Sequence, residues 1–66
     1  MKIYLPLERP DVEVLVDGAW YPGELRGVWR RRGRRHYTVS FRRTPGLARL
    51  ETVTGDRVRM PDPNGA

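Results

Sequence analysis

Tyr37-Thr38-Val39-Ser40-Phe41 sets the fold class of this chain. Tyr37, Val39 and Phe41 fall on one side of an extended backbone, and His36, Thr38, Ser40 and Arg42 on the other. That period of two is the mark of a half-buried β-strand. Outward toward the N-terminus, Arg32-Gly33 reads as a hairpin turn, preceded by a second run over residues 23–32 that carries Leu25, Val28 and Trp29. Gly23 and Gly27 inside that run predict a bulge or sharp coiling, because glycine within a strand usually marks one. Further back, Val12, Val14 and Val16 alternate with Glu13 and Leu15 and end at the tight turn Asp17-Gly18. Toward the C-terminus, Thr44-Pro45-Gly46 reads as a loop and residues 50–53 as a fourth strand. Thr54-Gly55-Asp56 is a turn and residues 57–60 a short fifth strand. No stretch reads as a helix, and there is no internal repeat.

Five short strands suit an all-β fold, a small barrel that hides the edges an open sheet would expose. Its inner face is expected to hold Val14, Leu25, Val39 and Val53. The chain divides into an N-terminal extension (residues 1–11), the barrel (12–60) and a flexible C-terminal tail (61–66). Both ends read as loose: Pro6 and Pro10 break the start, and the Pro61-Asp62-Pro63-Asn64-Gly65 segment cannot continue a strand. The length of 66 residues allows one domain. A domain of this size buries only about 60% of its unfolded surface. The absence of cysteine removes a disulfide framework and any thiolate metal site. No apolar run approaches the ~20 residues that span a bilayer, and the first ten residues lack the features of a signal peptide. A cytoplasmic protein without a membrane role is the expectation.

Charge is segregated along the chain. The net charge is +5, from thirteen bases and eight acids. Residues 1–25 hold two bases and five acids, residues 44–66 three of each. Residues 26–43 hold eight arginines and no acid, including the run Arg30-Arg31-Arg32-Gly33-Arg34-Arg35. Clustered guanidinium groups attract phosphate and pair with it bidentately, so this block reads as the footprint of a polyanion.

The order of features resembles a Tudor or Agenet-type domain, a five-stranded SH3-like barrel. The likeness covers residues 12–61, about three-quarters of the chain. Its landmarks are Val14 before Asp17-Gly18, then Trp20-Tyr21-Pro22-Gly23-Glu24-Leu25, Tyr37-Thr38-Val39-Ser40-Phe41 and Glu51-Thr52-Val53, followed by Val58. The resemblance implies an aromatic cage for a methylated lysine or arginine. Tyr21 and Phe41 match two cage aromatics. Val14 stands where the first aromatic belongs, Thr44 or Pro45 where the last belongs, and Arg43 where the family has an acid. A cation–π contact gives ~0.5–2 kcal/mol, whereas a like charge ~4 Å away costs about 4 kcal/mol at an effective dielectric of 20. With Arg43 facing the site, repulsion wins, and a methyl-lysine reader is not expected.

Catalysis finds no foothold. His36 is the single histidine, without the further ligands a metal needs. Ser40, on the same strand face, lies roughly 13 Å from it at ~3.3 Å per residue, so the two form no dyad. The carboxylates are scattered, and no glycine-rich loop cradles a nucleotide. No catalytic residue, metal or cofactor is expected. Glu51 is assigned a structural cross-strand pairing with an arginine such as Arg42. Trp20 is expected to cover the core, Trp29 to stand beside the arginines as a stacking surface, and Tyr21 to be exposed.

The leading reading is a non-enzymatic nucleic-acid-binding module. Arg30, Arg31, Arg32, Arg34 and Arg35 contact phosphates, Arg42 and Arg43 extend the patch, and Trp29 and Tyr21 offer stacking. No element reads bases, so sequence specificity toward DNA or RNA should be weak. The alternative is a protein-interaction module that takes an acidic or extended peptide in a groove near Tyr21 and Phe41.

Overall fold

Two-residue turns fold the chain into an antiparallel meander. The computed structural model describes residues 1–61. Its strands are β1 (Lys2–Ile3), β2 (Asp11–Val16), β3 (Ala19–Arg31), β4 (Arg34–Thr44), β5 (Leu47–Thr54) and β6 (Val58–Arg59), with a 3₁₀ turn at Gly55–Arg57 before the last. No α-helix occurs among the described residues, and the protein is all-β. At the β2–β3 turn, Asp17 and Gly18 have φ of 50° and 80°; at the β3–β4 turn, Arg32 and Gly33 have 54° and 77°. Left-handed backbone at both central positions gives a turn whose twist matches that of the flanking strands.

The sheet runs β5-β4-β3-β2-β6, with β1 added to β3. A flat sheet of five strands would hold its outer strands ~19 Å apart, from four gaps of about 4.8 Å. Yet only Gly55–Arg57 connects β5 to β6, and a 3₁₀ rise of ~2 Å per residue covers roughly a third of that distance. The sheet must therefore curl over its inner face. The curl is not closed: among the described residues no ladder joins β5 to β6.

The inner face is apolar because alternation and one bulge make it so. Val12, Val14, Leu25, Val39, Phe41 and Val53 are buried, and Tyr4, Tyr21, Val28 and Tyr37 pack against them. All four expected core residues are among the buried set. The register slips between Leu25 and Gly27, which pair with Val39 and Thr38. That extra residue resets the alternation, so Leu25 and Val28 both turn inward while Trp29 faces out beside His36.

Several boundaries differ from expectation. β5 starts at Leu47 rather than residue 50, and β6 shrinks to two residues because the 3₁₀ turn takes the chain before it. There the Thr54 hydroxyl donates to Asp56. The extension over residues 1–11 is not loose throughout. β2 covers only the Ala19–Glu24 half of β3, which leaves the rest of that edge unpaired. β1 fills it, with Lys2 opposite Val28 and Ile3 opposite Gly27. The Tyr4 amide then donates to the Arg26 carbonyl at 2.9 Å, and the Leu25 amide to the Pro10 carbonyl at 2.9 Å. Glu51 faces Val39, whereas Arg42 faces Ala48, so the register does not bring the expected pair opposite each other. The C-terminal tail, beyond Pro61, lies outside the described residues.

Candidate nucleic-acid interface

The β3–β4 hairpin carries the arginine block at its free end. Arg30, Arg31, Arg32, Arg34 and Arg35 are all exposed. The two-residue turn sets their register: Arg30 lies opposite Arg35 and Arg31 opposite Arg34. Like charges directly across a ladder destabilise it. Alternation puts Arg30 and Arg35 in line with Val28 and Tyr37, and Arg31 and Arg34 in line with Trp29 and His36, so cations project from both faces of the tip. None of the five forms an ion pair among the described residues; the pairs formed there are Arg43–Asp17 and Arg59–Glu13. Beside the free end of the hairpin, Arg34, Arg35 and Tyr37 share a cleft with Thr54 and Asp56. The hydrogen bond from Thr54, first, and then the Asp56 backbone hold the Asp56 carboxyl below its ordinary range, with Arg57 and Arg34 adding to the effect.

Arg42 and Arg43 do not extend this patch. They stand at the opposite end of β4, ~26 Å from Arg34 along the strand at about 3.3 Å per residue. Arg43 is also committed elsewhere. Its Nη1 donates to Asp17 Oδ2 at 2.6 Å, and its guanidinium lies 5.5 Å from the centre of the Tyr21 ring. The hydrogen bond to Asp17, and then that to Tyr21, raise its pKa further above the usual arginine value.

Tyr21 and Phe41 do not share a single groove: Tyr21 lines a cleft with Arg43, Thr44, Leu47 and Arg49, and Phe41 lies under a separate one with Pro22, Ser40 and Arg42. Phe41 is 3% exposed and belongs to the core. Tyr21 is half-buried, tilted against Phe41 with ring centres 6.3 Å apart, and has Arg43 above it. Val14, at the first cage position, is fully buried.

Trp20 is covered: the Arg59 guanidinium sits 4.0 Å from its ring centre, held by Glu13 at 2.8 Å. Trp29 is half-buried on the outer face. Its indole stacks on His36, with centroids 4.8 Å apart and planes at 18°, while Nε1 donates to Thr38 Oγ1 at 3.4 Å. His36, the single histidine of the sequence, has a partner here. Its partnership follows from symmetry about the turn, since Trp29 stands as far before Arg32 as His36 stands after Gly33.

Among the described residues no three His, Cys, Asp or Glu side chains gather as a metal site. No helix there is long and apolar enough to cross a membrane. No protein-family model matches the chain, and no curated protein or solved structure matches it.

Proposed function

We propose that this chain is a Tudor-like, SH3-type barrel that binds nucleic acid without catalysis, through the phosphate backbone. The curl of the sheet and the return of the last strand to β2 support the barrel reading. One observation carries the functional reading. Two arginine pairs face each other across an exposed hairpin, with no acid paired to them among the described residues. Folding gains nothing from that placement, whereas a polyanion gains a multidentate partner. The turn adds to the case. Arg32 occupies a left-handed position at φ 54°, where asparagine or glycine fits with less strain. A charge is kept there at a conformational cost.

Arg30, Arg31, Arg32, Arg34 and Arg35 hold phosphates of DNA or RNA, and sequence specificity is weak because arginine–phosphate contacts carry no base information. The test is a titration with duplex DNA over a range of salt. Four or five neutralised phosphates give a log K against log salt slope near −4, from ~0.9 per contact. Changing Arg31, Arg32 and Arg34 together to glutamine should flatten that slope by about three units and leave the CD spectrum unchanged. An unchanged slope in the triple variant, or no binding of any polynucleotide at low salt, would sink this reading in favour of an acidic peptide partner.

A further inference from the structure

Beside the hairpin, on the outer face of β3, lies a cleft of about 250 Å³. Its walls include Lys2 and Ile3 of β1, Arg26 and Gly27 at the bulge, and Trp29 and Thr38. Three separate features of the fold produce it. The bulge brings Gly27 against β1, where a Cβ would lie 3.2 Å from the Lys2 carbonyl oxygen, so glycine lets that rim approach closely. β1 pairs alongside and supplies the opposite rim. The hydrogen bond from Trp29 Nε1 to Thr38 fixes the indole in one orientation. His36 stacks on Trp29 but is not a wall of the cleft, so the cleft meets the indole away from the histidine.

The charges around this space have one sign. Arg26, whose Nε donates to Ser40 Oγ at 3.3 Å, is the cation at the cleft, and no acid lines it; Lys2 lends its backbone to the rim while its Nζ lies 5.3 Å from the Tyr4 ring centre. Arg31 and Arg34 continue the same outer face on the far side of Trp29 and His36. A space of that size takes one planar base, not a stacked pair. A base held in a duplex keeps its π-faces against its neighbours and cannot enter. An aromatic face fixed between cations is how proteins hold unpaired bases whatever their sequence.

We propose that this cleft is a stacking site for one unpaired base, which makes single-stranded nucleic acid the substrate class of the module. The inference rests on the nucleic-acid reading above and deepens it: the arginine hairpin holds the flanking phosphates, and Trp29 supplies the preference for strands whose bases are free.

The experiment uses the full chain carrying Trp20→Phe, so that Trp29 is its only indole. It is titrated at low salt with a short oligothymidylate, an abasic phosphodiester of equal length, and a duplex of equal charge. Oligothymidylate is expected to quench Trp29 emission and to bind roughly fivefold to a hundredfold tighter than the abasic chain. It should also bind tighter than the duplex. Adding Trp29→Ala should erase the difference between thymidylate and abasic chain while the salt slope persists. Equal affinity for those two probes, without quenching, would overturn the stacking site and leave the hairpin reading intact; this comparison does not depend on the Trp29 variant folding. A duplex preference, or a Trp29→Ala variant that still favours thymidylate, also overturns it. Failure to bind any of the three probes defeats both readings.

Discussion

At Tyr21 the ring is already occupied by a cation of the chain itself, because Asp17 anchors the Arg43 guanidinium over it. A methylated lysine seeking that face must displace an ion pair and then sit beside the freed arginine. Two further walls of a cage are missing, with Val14 sealed in the core and Thr44 carrying no ring. The chain should therefore show no preference for trimethylated over unmodified lysine peptides. NMR titration checks this, and a methylation-dependent shift pattern at Tyr21 and Phe41 would contradict it. The sequence placed Arg43 at the cage position, but its partner Asp17 lies 26 residues away. Only the three-dimensional path of β4 past the β2–β3 turn brings them together.

The β3–β4 hairpin shows what an element reveals through its sequence and what it conceals. Tyr37, Val39 and Phe41 were legible because one buried face imposes a period of two. The turn was legible because glycine follows the arginine at a position requiring positive φ. The start of β5 was not: Leu47 and Leu50 are exposed, so pairing with β4 rather than burial holds that stretch, and no apolar alternation announces it. The same holds for β1, whose two residues are exposed and paired only through backbone. Within the site, the arginine block was plain from composition. The separation of Arg42 and Arg43 from the tip was not, because it depends on how far β4 runs. At the turn itself, Arg32→Asn should raise stability by up to ~1 kcal/mol, since asparagine tolerates the left-handed region better. Urea unfolding measures this, and a loss of stability would mean that the Arg32 side chain contributes to the fold. The same variant should lose about one phosphate contact in the salt titration.

Over the whole molecule, the excess of five positive charges is concentrated at one end of one hairpin. A chain of this length has a stability margin of only about 3–10 kcal/mol, so repulsion between the facing arginines is a noticeable fraction of it. Salt should then act in opposite directions on two properties. Raising ionic strength shortens the screening length to ~8 Å at 0.15 M and weakens that repulsion, so the melting temperature should rise. Polyanion affinity should fall over the same range. Thermal melts followed by CD test the first limb, and the triple glutamine variant should melt with a smaller salt dependence. A melting temperature that falls with salt would show that the arginine pairs do not strain the hairpin. The return of β6 to β2 has a consequence for the order of assembly. Glu13 and Arg59 meet across 46 residues, whereas each strand pair of the meander is separated only by a short turn. Local hairpins close quickly and distant pairings slowly, because the intervening chain must first be ordered. The arginine hairpin is therefore expected to zip early in folding and to stand with its charges displayed before residues 58 and 59 return to shut the inner face.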